Sequence, residues 1–384
     1  MIYRDLFRFE LGKTIVLYLQ DEQTQNIGLS IIPADMEAQR VARRDNLCGN
    51  PEIDVLPDTV IRADFVEPLV NLKVLGHEQP GGFSQGRTMR SVANTPLLKF
   101  CDLKTEHKDV FKITVLLEHL SGLIVEHILY YDKKYNTLST NVRVLNVTPD
   151  TKSIEMISSF CLSDITPFHA ADASERLVIH QIRSSWSSEA RLVSRPAEEF
   201  NLERSWSGHA VRCERFGQIG SLPGNGFFPL VAVEDKEAGV CWGACLQWAG
   251  SWQMEIYRKN DSVSIAGGLA DREFGQWTKK LHPQERFETP SATIAVVKGD
   301  IDSLCHRLVQ SQKRATEKRP AIEKNNPIVF NEWCTSWGAP SEKSCLAIAD
   351  KLKDTAVKYL VVDAGWYQEE GRPWYLCHGN WNVS

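Results

Sequence analysis

The residues with the clearest chemical potential lie near the end of the chain. Asp363 comes directly after an uninterrupted apolar run at 359–362, and Trp366 follows three residues later. Trp333 stands just past a second short apolar run at 327–330. A carboxylate accepts hydrogen bonds from sugar hydroxyls, and an indole covers the apolar face of a sugar ring. This pattern predicts a carbohydrate site, with the alternative that Asp363 only caps the loop that follows it.

Such a site needs parallel strands to position its side chains. The run at 327–330 predicts one strand, Ser341 is a suitable N-cap for a helix extending to 356, and the run at 359–362 predicts a strand buried on both faces. Strand, helix and strand in this order form a βαβ unit. In a parallel α/β barrel the carboxyl ends of the strands form the active-site face. We therefore expect Trp333 and Asp363 to lie at the same edge of the sheet.

The part of the chain before residue 300 has a different pattern, made of short alternating runs and polar turns. The run 111–115 has a period of two, and Ser121-Gly122 separates it from the β-rich run 123–131, which predicts a hairpin. Further strands are predicted at 141–145, 177–182, 228–233, 240–248, 262–265 and 292–297. Repeated short strands of this kind indicate sheets packed face to face.

Together these patterns predict a mainly β chain in three parts. Residues 1–299 are predicted to form a large β-sandwich, and residues 300–325 a helical linker that starts near Asp300 and stops at Pro320. In this linker Ile301, Leu304, Leu308 and Val309 share a helical face. Residues 326–384 carry the βαβ pattern.

The tryptophans are unevenly distributed. There are eleven, with none before Trp186, six from Trp186 to Trp277, and five at 333, 337, 366, 374 and 381. For the middle six we expect core packing. For the last five, which cluster around predicted loops, binding to a sugar has at least equal weight.

Composition excludes several functional classes. The chain has 384 residues, is 42% hydrophobic and carries a net charge of −5, which argues against nucleic acid as a partner. No apolar run reaches the roughly 20 residues that span a bilayer, and no secretory signal is visible. The ten cysteines are scattered, so reduced thiols in a cytoplasmic protein are expected. The histidines show no metal-ligand spacing, and no phosphate-binding or other cofactor motif is present.

Several ordered motifs resemble one known family. The segments 326–333 and 361–366 resemble the opening of the barrel in family 36 glycoside hydrolases, which are α-galactosidases with α-N-acetylgalactosaminidase and raffinose-synthase relatives. Upstream, the segment from Arg183 to Arg191 (Arg-Ser-Ser-Trp-Ser-Ser-Glu-Ala-Arg) resembles the family's Ser-x-Trp-Ser-x-Glu-Gly-Arg. The segments 274–277 and 286–290 also match. The resemblance covers roughly Leu177 to the C-terminus.

This resemblance implies a β-supersandwich followed by a (β/α)8 barrel, and retaining hydrolysis of α-galactosides. In the family the nucleophile is an aspartate on barrel strand 4, and the acid/base is an aspartate on strand 6. A barrel needs at least ~200 residues, so the stretch 326–384 is expected to hold only its beginning. No catalytic residue is therefore assigned, and the chain alone is expected to be inactive. The resemblance implies no cofactor or metal, and a homo-oligomer when complete.

The resemblance also indicates which residues of this chain would bind substrate. It places Trp333, Asp363, Trp366 and Trp381 around the terminal galactose of an α-galactoside oligosaccharide. Ala364 stands where the family has a second aspartate, and Asn380 of Gly379-Asn380-Trp381 stands where the family has Gly-Asp-Trp. These departures leave a relative acting on α-N-acetylgalactosaminides open. A non-catalytic β-sandwich that binds carbohydrate or mediates assembly is the other alternative.

Overall fold

The computed structural model divides the chain into two compact units, Met1–Lys313 and Arg314–Ser384. The boundary between the two units lies inside the segment 300–325, which the sequence predicts to be a helical linker. The structure describes residues 3–21, 25–41, 43–44, 62–63, 66–77, 89, 97–169, 173–203, 212–259, 262–379 and 381–384.

A buried sheet of three antiparallel strands opens the first unit. Its strands are, in spatial order, β1 (Tyr3–Leu11), β2 (Thr14–Asp21) and β3 (Ile27–Pro33). Every residue of β2 and β3 is buried. These strands are therefore covered on both faces, and their sequences lack the alternation that marks a sheet with one wet face. A 3-10 helix, Ala34–Gln39, follows.

The largest sheet has ten antiparallel strands in the order β13-β12-β15-β16-β21-β10-β9-β8-β7, with β20 also paired to β10. Their bounds are β7 Leu98–His107, β8 Val110–His119, β9 Leu123–Asp132, β10 Thr137–Asn146, β12 Leu177–Ser184, β13 Arg191–Pro196, β15 Gly226–Asp235, β16 Val240–Leu246, β20 Arg286–Glu288 and β21 Ala292–Lys298. Strand β8 alternates buried and half-buried residues along most of its length. This alternation gives the sheet one face for the core.

A third sheet of six strands packs against the same core, in the order β14-β17-β18-β11-β19 with β6 paired to β11. Its strands are β6 Leu72–Val74, β11 Lys152–Ile165, β14 Arg212–Gln218, β17 Trp252–Lys259, β18 Ser262–Leu269 and β19 Lys279–Leu281. The two-residue strands β4 (Arg43–Arg44) and β5 (Arg62–Ala63) form a separate parallel pair, and Ala197–Phe200 is a second 3-10 helix.

One cluster of buried apolar side chains joins the three sheets. It includes Leu29 from β3, Val115 from β8 and Ile256 from β17. Trp242 on β16 is also a member, and its Nε1 donates to the carbonyl oxygen of Ile31 on β3 at 2.8 Å. The predicted mainly β fold with a large sandwich is confirmed.

The middle tryptophans only partly follow the prediction of core packing. Trp242 and Trp252 are fully buried, as expected, and Trp277 is half-buried. The prediction is wrong for Trp186, which is 93% exposed in the loop after β12, and for Trp248, which is 45% exposed just after β16 ends. Both lie outside strands, so no sheet face directs their rings inward. Trp206 lies outside the described residues.

The first helix, α1 (Ile301–Val309), begins where the sequence predicts. The Asp300 carboxylate caps it by accepting from the backbone N–H of Ser303 at 2.9 Å. Leu304 and Leu308 are buried in a small cluster with residues of β15, β16 and β21. Val309, predicted on the same face, is exposed because one further residue turns the side chain about 100° around the axis. A 3-10 turn (Gln310–Gln312), helix α2 (Lys313–Thr316) and a 3-10 turn (Ala321–Asn325) follow.

A buried imidazole makes the stability of the first unit pH-dependent. Burial lowers the pKa of His127 to about 3, and its Nε2 lies 2.9 Å from the Thr140 hydroxyl. The unfolded chain takes up a proton below about pH 6.5, but the folded chain does not. We therefore expect the free energy of unfolding to fall as the pH decreases from 6.5 to 3, by about 1.4 kcal/mol per pH unit. Denaturant unfolding at a series of pH values measures this slope.

The variant His127→Gln should remove most of this contribution to the slope, since glutamine does not titrate. The variant His282→Gln is the matched control, because His282 is exposed. An NMR titration in which the His127 ring of the folded protein gains its proton near pH 6.5 would contradict the prediction.

The second unit contains the predicted strand–helix–strand order. Strand β22 (Ile328–Asn331) and strand β23 (Val357–Val361) are parallel neighbours, and helices α3 (Trp333–Ser336) and α4 (Glu342–Leu352) lie between them in sequence. A further 3-10 turn spans Trp374–Leu376. That this unit is the start of a (β/α)8 barrel stays a prediction.

The detail of this unit differs from the prediction in two ways. Ser341 is the N-cap of α4, as predicted, and it also forms a capping box with Ser344, but the helix ends at Leu352 and not at 356. The strand at 359–362 was predicted to be covered on both faces, but Val361 and Val362 are each 39% exposed. Two strands and one long helix of this unit do not supply cover for both faces.

None of the described helices has the length and apolar character required to cross a bilayer. The described His, Cys, Asp and Glu side chains form no group of three that could hold a metal ion.

Candidate functional site

The two parallel strands bring their C-terminal residues together at one edge. Asn331 pairs in register with Val361, and its side-chain Nδ2 donates to Asp363 Oδ2 at 2.6 Å. The other carboxylate oxygen of Asp363 accepts from the backbone N–H of Ala364 at 2.7 Å. These two hydrogen bonds, with that of Asn331 the stronger influence, lower the pKa of Asp363. The carboxylate is therefore ionised at neutral pH and held in one orientation.

A buried carboxylate, Glu332, ties the same two strand ends together. Its Oε1 accepts from the backbone N–H of Asp363 at 3.1 Å, and its own N–H donates to the Val361 carbonyl at 3.1 Å. Glu332 is only 1% exposed, so its carboxylate is not available to bulk solvent. It therefore serves to position Asp363 and the chain before Trp333.

Aromatic rings form a connected cluster beside these strand ends. The ring of Trp333 lies 5.5 Å from that of Trp374, and the ring of Trp366 lies 6.0 Å from that of Trp381. His378 links the two groups, since its ring is 5.7 Å from Trp374 and 5.8 Å from Tyr367. We call the following residues the aromatic cluster: Trp333, Trp337, Trp366, Tyr367, Trp374, His378 and Trp381.

The cluster combines a buried base with exposed faces. Tyr367 is buried and packs edge-on against Trp381 at 5.1 Å. Trp337 and Trp381 are more than half exposed, and Trp333, Trp366 and Trp374 are half-buried. Rings held from below with a free face suit stacking on the apolar face of a sugar.

Close backbone approach fixes the loop that carries these residues. Gly365 has φ +106°, and a Cβ built there would lie 2.2 Å from the carbonyl oxygen of Gly338. A Cβ on Gly338 (φ +89°) would in turn lie 2.3 Å from Nε1 of Trp374. Both positions need glycine, for backbone conformation and for space. The glycine of the Asp363-Ala-Gly-Trp366 motif thus sets how close the loop lies to the chain after α3.

All four residues predicted to bind substrate lie in the second unit. Trp333, Trp366 and Trp381 are members of the aromatic cluster. Asp363 is connected to Trp333 through Asn331, whose side-chain Oδ1 accepts from the backbone N–H of Trp333 at 2.9 Å. Their role in binding stays a prediction. Asn380 lies outside the described residues.

Sequence reasoning missed three residues of this arrangement. They are Asn331, Glu332 and Trp374. A polar pair directly after an apolar run was a usable signal for the first two, because strand ends in parallel sheets collect functional side chains. Trp374 was counted among the tryptophans but not assigned to the site, since its contact with Trp333 joins residues 41 positions apart in the sequence.

The second unit thus combines a carboxylate with several indoles at the ends of two parallel strands, and the first unit is a large antiparallel sandwich. No family model matches the chain. In sequence it is 21% identical over 315 residues to α-galactosidase 2 of Hypocrea jecorina, covering 80% of this chain and 39% of that protein. It is 24% identical over 269 residues to a probable α-galactosidase G of Aspergillus terreus, covering 68% and 34%.

Solved structures show the same fold. A family 36 α-galactosidase from Geobacillus stearothermophilus superimposes with a TM-score of 0.68 at 15% identity, over 94% of this chain and 50% of the enzyme. A variant of an enzyme from the same organism, in complex with stachyose, gives 0.69 at 16%, over 98% and 52%. The chain thus spans 39% or less of these curated relatives and about half of these solved chains. Over most of its length it is similar to the N-terminal portion of family 36 α-galactosidases.

Proposed function

We propose that the chain is the N-terminal portion of a retaining α-galactosidase that releases terminal α-linked galactosyl residues from oligosaccharides. The curated relatives carry the name α-galactosidase, and solved neighbours are complexes with stachyose and with raffinose. The observation that carries the proposal is the Asp363 carboxylate, held by Asn331 and Ala364 at the end of β23, in the loop that leads into the aromatic cluster.

In this proposal Asp363 binds and does not attack. Retention requires two carboxylates about 5 Å apart across the anomeric carbon, one as nucleophile and one as acid/base. Glu332, the other carboxylate at the strand end, is buried and bonded to the Asp363 backbone, so it does not suit proton transfer to a substrate. We place the nucleophile and the acid/base on later barrel strands, outside residues 1–384. A cytoplasmic location and a homo-oligomeric enzyme stay predictions.

Two alternatives are kept because particular residues favour them. Ala364 lacks the second carboxylate that would grip a plain galactose, which leaves a related sugar such as an α-N-acetylgalactosaminide open. The exposed Trp186 and Trp248 favour a sandwich that itself binds carbohydrate or mediates assembly. Titration of the 384-residue chain with methyl α-galactoside and with its 2-acetamido analogue, measured by tryptophan fluorescence, tests the first alternative. Tighter binding of the 2-acetamido sugar favours it. Binding that survives loss of Asp363 favours the second.

The substitution Asp363→Asn should weaken binding of the preferred methyl α-glycoside by about 10- to 100-fold. It removes the charge from the acceptor that grips the hydroxyls, and a hydrogen bond to a charged group contributes about 1.5–3 kcal/mol. The acceptor of the Ala364 N–H remains, whereas the new amide NH2 faces Nδ2 of Asn331, so that hydrogen bond is lost as well. Fluorescence titration of both proteins measures the ratio of dissociation constants.

Asp354→Asn is the control for this prediction, because it removes the same charge from an exposed residue of the same unit. An unchanged dissociation constant for Asp363→Asn would refute the binding role. Hydrolysis of an aryl α-galactoside by the 384-residue chain would show that the catalytic carboxylates have been misplaced.

A further inference from the structure

A cavity of about 600 Å³ opens in the first unit between the edges of two sheets. One wall comes from β12 and β13, at the edge of the ten-stranded sheet, and the other includes Glu214 on β14, the edge strand of the six-stranded sheet. The loop after β12 adds Ser185 and Ser188 to the lining. This volume is within the range of sites for small molecules. All of the lining residues belong to the first unit, whereas the residues around Asp363 belong to the second.

Its walls carry an excess of positive charge. Arg183 and Arg191 are directly opposite each other on β12 and β13, and both line the cavity together with Arg195. Like charges at opposed positions of neighbouring strands are destabilising. In the described part of the chain neither Arg183 nor Arg191 forms an ion pair. Arg195 lies 3.8 Å from Glu199, in a pair more than half exposed on both sides, which holds it only weakly.

One of these arginines is already oriented for a ligand. The guanidinium carbon of Arg183 lies 3.8 Å from the ring centre of Phe227, a cation–π contact that restrains the side chain without using its N–H groups as hydrogen-bond donors to an anion. Glu214 is the acidic residue of the lining; burial raises its pKa, and the Gln181 amide and the charge of Arg183 counteract this. One carboxylate does not offset three arginines even when it is ionised. The cavity thus keeps a net positive charge.

A buried amide in the same wall lacks a partner. Gln181 is 3% exposed, and its amide faces the Glu214 carboxylate and lowers the pKa of that group, but its Nε2 has no acceptor within hydrogen-bond distance in the part of the chain that the structure describes. A buried donor left unsatisfied costs about 1–3 kcal/mol, so a ligand atom that accepts from it recovers this free energy. The amide N–H group and the guanidinium groups are all donors, so the missing partner is an acceptor.

We propose that this cavity binds a small molecule that carries an oxyanion, a carboxylate or a phosphate, between Arg183 and Arg191, with the Gln181 amide as a further donor. The planar fork of arginine matches both anions in a bidentate manner. Hydroxyls of Ser184 and Ser188 line the remaining surface and suit the polar body of such a molecule.

Isothermal titration calorimetry of the full chain at fixed ionic strength tests the proposal. The probes are inorganic phosphate, galactose 1-phosphate, galacturonate and, as the neutral control, galactose. We expect either the two phosphate probes or galacturonate to bind, and galactose not to bind at this site. Binding of the phosphates identifies a phosphate as the ligand group, and binding of galacturonate identifies a carboxylate. Arg191→Gln should weaken that binding at least about 10-fold, since it removes a charge-assisted contact.

Arg286→Gln removes the same charge from an exposed position on β20, outside the cavity, and should change the affinity less than 2-fold. Gln181→Leu should weaken anion binding and at the same time raise the unfolding temperature of the free protein, because the unsatisfied amide is gone. Absence of binding by all three anions would overturn the proposal. The proposal would also be overturned if Arg191→Gln left anion binding unchanged, or if galactose bound to the protein and the same variant lost that binding.

Discussion

Replacing Trp242 by alanine should lower the free energy of unfolding of the first unit by about 3–5 kcal/mol. The indole is 1% exposed, and its ring lies 6.0 Å from that of Phe168. Its N–H donates to the Ile31 carbonyl, so a single side chain of the ten-stranded sheet is bonded to the buried three-stranded sheet. The alanine variant loses the apolar area, leaves a cavity and deprives Ile31 of its donor.

Denaturant unfolding followed by circular dichroism measures this loss. Trp248→Ala is the matched control, because the same side chain is removed from a position that is 45% exposed, where we expect less than about 1 kcal/mol. Trp242→Phe should fall between the two, since it keeps most of the apolar area but not the N–H. Equal losses in Trp242→Ala and Trp248→Ala would show that Trp242 does not hold the sheets together.

Strands with one wet face were the predictable part of this fold. The hairpin of β8 and β9 was readable because polar and apolar residues alternate and Ser121-Gly122 provides the turn. The three-stranded sheet was not located, because β2 and β3 are buried on both faces and show no period of two. The pairing of β11 with β18 joins residues more than 90 positions apart, and no local pattern specifies it.

The candidate site follows the same division. The rule that functional residues follow parallel strands was enough to select Asp363 and Trp333. It did not reveal Glu332 as the residue that bonds to the Asp363 backbone, because that contact exists only when β22 and β23 are neighbours. Residue type alone also failed to separate buried Trp242 from exposed Trp186, since exposure depends on whether the residue lies on a strand or in a loop.

The substitution Gly365→Ala should abolish saccharide binding by the second unit. The alanine Cβ would stand 2.2 Å from the Gly338 carbonyl oxygen, and backbone atoms cannot yield as a side chain can. The residue also has φ +106°, which an L-residue adopts only with strain of about 1–3 kcal/mol. The loop must therefore move away from Gly338, carrying Asp363 and Trp366 with it. Fluorescence titration with methyl α-galactoside measures the loss.

Gly371→Ala separates the collision from the backbone strain. Gly371 also has positive φ, +76°, but a Cβ built there meets nothing within 4 Å. If close approach to Gly338 positions the site, Gly371→Ala keeps measurable binding while Gly365→Ala loses it. The unfolding of the first unit should be the same in both variants, because each substitution lies in the second compact unit. Binding retained by Gly365→Ala would mean that this loop does not hold the groups that contact the sugar.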